Sequence, residues 1–77
     1  MKELKPLTVL IKKRESFGYT QEELAIKAKI SRPMLSNIER GYTDPSLKVA
    51  GRLAKALNST VDELFLAKNA RKTNKSA

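Results

Sequence analysis

The stretch TQEELAIKAKISRPMLSNIERG, Thr20 to Gly41, decides how this chain folds. It opens on Thr20-Gln21-Glu22-Glu23, a capping box. The Thr20 hydroxyl can accept from the Glu23 N–H while the Glu23 carboxylate reaches back to the Thr20 N–H. Two adjacent acids in a first turn also suit the positive end of a helix dipole. Leu24, Ala25 and Ala28 supply a narrow apolar face, so the spacing predicts a helix over about 21–28. Two turns cannot be stable alone and must lean on neighbours. Lys29-Ile30-Ser31 breaks the run. Ser31 is a good N-cap, and Pro33 is tolerable in a first turn but would break a helix interior. A further helix follows over about 32–40, with Leu35 and Ile38 inward and Gly41 ending it.

Outside this pair the pattern stays helical. Leu7, Leu10, Ile11 and Arg14 fall at i, i+3, i+4, i+7, one helix face, and Pro6 suits a first turn. With Gly18 as a left-handed cap, a helix is predicted over about 6–17. Tyr42-Thr43-Asp44-Pro45 reads as a loop. Ser46 opens a segment in which Leu47, Ala50, Leu53, Ala54 and Leu57 step by three and four, a helix through about Ala56. Gly51 lies inside it, where glycine costs about 1 kcal/mol relative to alanine, and close helix–helix approach is its expected reason. Thr60-Val61-Asp62-Glu63 is a second capping box, starting a short helix through about Leu66. No stretch alternates with period two and none repeats. The fold class is all-α with five helices: an arm over 1–5, a domain over 6–66 and a tail over 67–77.

Seventy-seven residues make one small domain with a thin core. Sixteen Lys and Arg against eight Asp and Glu give a net charge of +8, which favours polyanionic partners, nucleic acid first. Half of that charge sits in AKNARKTNKSA, residues 67–77, which has no aromatic or large aliphatic residue to bury and reads as disordered. The pattern must therefore carry more of the argument than the total. With no cysteine and no histidine there is neither thiol nucleophile, nor zinc cluster, nor the usual general base. Clearly apolar runs such as Val9-Leu10-Ile11 are far below the roughly 20 residues of a membrane span. The expectation is a binding protein, not an enzyme, with no metal, cofactor, membrane or small-molecule ligand.

Two short helices joined by a three-residue turn, the second opening with polar side chains, is the form that lays a helix in a DNA major groove. Ala25 is small where the pair must approach closely, and Arg32, Pro33, Ser36, Asn37 and Arg40 occupy much of the free surface of the second helix. Here the chain closely resembles the Cro/C1-type helix-turn-helix family, the lambda-repressor-like (XRE) domains. The resemblance rests on Gly18-Tyr19-Thr20-Gln21-Glu22-Glu23-Leu24-Ala25, Ser31, Leu35-Ser36-Asn37-Ile38-Glu39-Arg40-Gly41, Pro45-Ser46-Leu47 and Ala54-Lys55-Ala56-Leu57.

The resemblance implies five helices, the third in the major groove, and a two-fold dimer on palindromic double-stranded DNA. It assigns Gln21 to a phosphate, and Arg32, Pro33, Ser36 and Asn37 to base edges. Arg32 can donate two bonds to guanine and Asn37 can pair with adenine. Pro33 departs from the polar reader common in relatives, and either packs on a thymine methyl or is merely structural. Arg40, Tyr42, Thr43 and Lys48 fall where relatives grip the backbone. Arg14 and Glu39 match a buried ion pair between helices one and three. Lys29 replaces the usual turn glycine, which predicts positive φ there and a stability gain for Lys29→Gly.

The function so implied is a sequence-specific transcriptional regulator, a repressor, cytoplasmic and nucleoid-associated, of bacterial or phage origin. Leu64, Phe65 and Leu66 are the candidate dimer surface, with burial inside one subunit as the alternative. The competing reading is an antitoxin or other protein-interaction module whose DNA binding is secondary.

Overall fold

A computed structural model describes residues 6–66. The arm over 1–5 and the basic tail over 67–77 lie outside the described residues. Five helices follow in chain order: α1 (Thr8–Ser16), α2 (Gln21–Ala28), α3 (Arg32–Arg40), α4 (Leu47–Ala56) and α5 (Val61–Phe65). Among the described residues there is no strand. α2 packs on both α3 and α4, α5 folds against α4, and α1 closes the other side across α3 and α5.

The starts of α2, α3, α4 and α5 are made by side-chain caps. Thr20 accepts from Glu23 N–H at 3.1 Å and the Glu23 carboxylate accepts from Thr20 N–H at 2.8 Å, so the capping box of α2 is complete. Ser31 and Ser46 each accept from the N–H three residues on, at 3.2 and 3.1 Å. The box expected at Thr60 is only half formed. Thr60 caps Glu63 N–H at 3.0 Å, but the Glu63 carboxylate accepts from the Ser59 hydroxyl at 2.6 Å. A neighbouring hydroxyl is a competing donor that the Thr60 motif alone does not disclose.

α1 begins two residues later than its periodicity implies, leaving Pro6 outside it. The cause is tertiary: Leu7 N–H donates to the Glu39 carbonyl at 2.9 Å, pinning the chain to the far end of α3 before it can coil. Gly18, with φ +77°, closes α1, and Gly41, with φ +85°, closes α3. Lys29 takes the same left-handed conformation at φ 59° and ψ 45°.

The core is small and continuous: Leu10, Leu24, Ala25, Ala28, Leu35, Ile38, Leu53, Ala54, Leu57 and Leu64 are all buried. Two readings of α4 need correcting. Leu47 keeps the phase of the inward stripe yet is 80% exposed. It is the first helical residue, and side chains lean toward the helix N-terminus, so it projects past the end of the core. Gly51 has no close neighbour either, since a Cβ built there meets nothing within 4 Å. Close helix–helix approach is not what holds glycine at this position.

Candidate nucleic-acid interface

Glu39 is the one buried charged residue of the described chain, 3% exposed on the inner side of α3. Its carboxylate is fully occupied. Arg14 of α1 donates from Nε at 2.7 Å and from Nη2 at 3.3 Å, and Gln21 of α2 donates from Nε2 at 2.9 Å. Arg14 also donates from Nη1 to the Tyr19 carbonyl at 2.9 Å, so its guanidinium spans the α1–α2 turn and the end of α3. Among the described residues no buried side-chain nitrogen or oxygen lacks a partner. A buried carboxylate is tolerable when paired and fully hydrogen-bonded, and here the pairing fixes three helices at one point.

Gln21 stands at the first position of α2. Its amide is steered by Glu39, which leaves one Nε2 proton and the carbonyl oxygen to meet another group. The first-turn N–H groups of Gln21 and Glu22 have no acceptor among the described residues, as is usual at a helix start. Such an end attracts anions through aligned N–H groups and the positive dipole terminus.

α3 begins beside it. The Ser31 cap and Pro33 at the second position fix the entry angle, and inward Leu35, Ile38 and Glu39 turn the opposite face to solvent. Arg32, Pro33 and Asn37 are exposed, and Ser36 is half-buried. Gln21, Arg32, Pro33, Ser36 and Arg40 line one shallow open groove. Gln21 and Arg32 also meet in an adjoining depression with Arg14, Thr20 and Glu22. Asn37 lies outside both, about 100° around the helix from Ser36.

Beyond α3, Arg40 stacks over the Tyr42 ring with its guanidinium carbon 5.7 Å from the ring centre. Tyr42 is 57% exposed, and both residues line a depression with Gln21 and Glu39. Thr43 and Lys48 are exposed and line neither that depression nor the groove at the start of α3. The three candidates of the C-terminal apolar cluster separate. Leu64 is 2% exposed and belongs to the core, Phe65 is half-buried against it, and Leu66 is 45% exposed. Leu64 is therefore spent inside the subunit, within the core cluster.

Sequence reasoning missed the Gln21–Glu39 contact, because residues eighteen apart give no spacing signal. It also missed exposed Leu47, next to Lys48. Its place directly after a cap was the available clue.

The sequence model of the helix-turn-helix family matches residues 10–64. A helix-turn-helix-type transcriptional regulator of Archaeoglobus fulgidus is 38% identical over 53 residues, 69% of this chain and 76% of that one. The regulator ImmR of Bacillus subtilis is 40% identical over 52 residues, 68% of this chain but 41% of its own length. Among solved structures, the restriction-modification controller protein C.AhdI of Aeromonas hydrophila superposes with a TM-score of 0.71 at 34% identity, covering 75% of this chain and 88% of that one. The family match, the five-helix order and the exposed face of α3 agree: the chain belongs to the Cro/C1-type helix-turn-helix family of DNA-binding transcriptional regulators.

Proposed function

We propose that this protein is a sequence-specific repressor that binds a palindromic operator as a homodimer, with α3 in the major groove. The observation that carries the reading is the open groove where Gln21, Arg32, Pro33, Ser36 and Arg40 converge from α2 and α3. A major groove about 12 Å wide admits one helix, and an exposed α3 start flanked by a free helix N-terminus is the matching shape. Arg32, Pro33, Ser36 and Asn37 meet base edges, while Gln21, Arg40, Tyr42, Thr43 and Lys48 hold phosphates. Tyr42 positions the Arg40 guanidinium by stacking, and it rigidifies a long side chain at a modest gain of about 0.5–1 kcal/mol. One such module makes few base contacts, so two copies reading half-sites one helical turn apart supply the specificity.

Selection of binding sites from random duplexes at two salt concentrations tests this. Arg40→Ala should weaken all sequences alike and flatten the salt dependence by about one phosphate contact. Arg32→Ala should change which base is preferred at one position, at a cost of about 1–3 kcal/mol. The reverse pattern, sequence preference lost with Arg40 and uniform weakening with Arg32, would reverse the roles. Absence of any selected motif would remove the reading.

A further inference from the structure

A second groove opens between the C-terminal ends of α2 and α4, lined by Lys27, Lys29, Arg52, Lys55 and Ala56. All four cations are exposed and no acidic residue lines the groove. It shares no residue with the groove at the start of α3. Among the described residues Arg14–Glu39 is the only ion pair, so none of the four cations has a carboxylate oxygen of those residues within 4.0 Å. The Lys27 ammonium instead rests 5.2 Å from the centre of the Tyr19 ring.

Part of this arrangement has a local cause. Lys27 and Lys55 occupy the last turns of α2 and α4, where a cation complements the helix dipole. Lys29, the C-cap of α2, shares that reason, and Arg52 does not. Arg52 is mid-helix, one turn before Lys55 on the same side of α4, and Lys29 holds a left-handed position that glycine would fill with less strain. Like charges gathered in one depression repel one another, and an anion relieves the repulsion.

We propose that this groove binds the phosphate backbone of a second DNA duplex while the first is held at α3. The inference rests on the DNA-binding reading above. The lining favours a phosphate backbone over an acidic protein, since Ala56 is its only apolar residue. Protein partners anchor through buried aromatic and aliphatic side chains, whereas a phosphate backbone requires positive charge alone. Placement favours a separate duplex. Lys27 lies six residues beyond Gln21 on α2, about 9 Å along the axis and about 120° around it, so it leaves α2 on a different side from the Gln21 that lines the first groove. Three lysine ammonium groups and the Arg52 guanidinium meet phosphate oxygens, and such contacts hold a backbone without reading sequence.

The test uses the full chain on an immobilised duplex carrying the selected site, saturated with protein and then offered a fluorescent duplex of unrelated sequence. The parent protein should retain the fluorescent duplex. The variant Lys27→Gln/Arg52→Gln/Lys55→Gln, with an unchanged melting curve, should still bind the immobilised site but retain at least about tenfold less of the second duplex. In a second arm, Arg32→Ala/Arg40→Ala should still bind random duplex with a log–log salt slope near about −3, three or four phosphates at roughly 0.9 each. Adding the three glutamine changes should weaken that binding by at least about tenfold and flatten its salt slope by about three contacts. Retention that survives the glutamine changes would overturn the proposal, because the two recognition faces of a dimer would then be the bridge. A polyglutamate peptide that outcompetes duplex for the Arg32→Ala/Arg40→Ala protein would overturn it in favour of an acidic protein. Loss of site preference in the parent protein would instead count against the operator reading, and the second arm judges the groove independently of it.

Discussion

Lys29 and Asn58 share a backbone conformation that L-residues rarely adopt, at φ 59° and φ 52°. Each ends a helix. Lys29 N–H returns to the Ile26 carbonyl and Ile30 N–H to that of Ala25, while beyond α4 Asn58 N–H returns to Lys55 and Ser59 N–H to Ala54. Asparagine visits this region readily, whereas lysine incurs roughly 1–2 kcal/mol, partly offset because glycine would lose about 0.4–1 kcal/mol more entropy on folding. Lys29→Gly should therefore raise stability by about 0.5–1 kcal/mol in a denaturant titration. An unchanged midpoint would mean that the turn carries less strain than its dihedral angles indicate. Gly51 is the converse case, a helix-interior glycine with open space beside it. Gly51→Ala should add close to 1 kcal/mol, raising the melting temperature of so small a domain by about 4–8 °C. A lower melting temperature would point to a neighbour that the groove beside α4 brings in.

At the scale of helices, Glu39 is the shared point of α1, α2 and α3. Replacing it with alanine strands the Arg14 guanidinium, 13% exposed in its side chain, and should cost about 3–5 kcal/mol. Glu39→Gln, which keeps the shape and one acceptor, should cost less. Thermal unfolding of both proteins checks the order, and a Glu39→Gln protein that melts with the parent would mean that the charge is irrelevant. The ends of α2, α3 and α4 were legible because Thr20, Ser31, Ser46 and Gly41 are local signals acting within four residues. The start of α1 was not, because a carbonyl at residue 39 sets it. The same limit explains the interface. The residue types of Arg32, Ser36 and Arg40 announce it, but that Gln21 joins them while Asn37 stays outside depends on how α2 crosses α3. Leu47 and Leu64 show the ambiguity of a periodic stripe. Both fit the pattern, yet one overhangs the core and the other fills it.

For the whole molecule, the proposed homodimer needs a surface on which two copies meet. With Leu64 buried, the exposed remainder of the apolar cluster is Leu66 and the outer part of Phe65. That is a small patch beside the roughly 800 Å² per partner of a stable interface, so further surface must join it or the dimer will be weak and strengthened by DNA. Sedimentation at micromolar concentration should find a dimer in the parent and a monomer in Leu66→Glu, with an unchanged melting curve for each folded subunit. A dimer that persists in the variant would place the contact elsewhere on the molecule.

The carboxylate shared by three helices also sets a limit for protein engineering. A peptide cut to residues 20–41 would keep every hydrogen-bonding group of α2 and α3 but leave Arg14 behind, and with it the partner of a charge already withdrawn from solvent. The helix pair is thus not a portable cassette. A transplant into a foreign scaffold would have to bring the first helix along, or replace Glu39 with an uncharged side chain of similar volume.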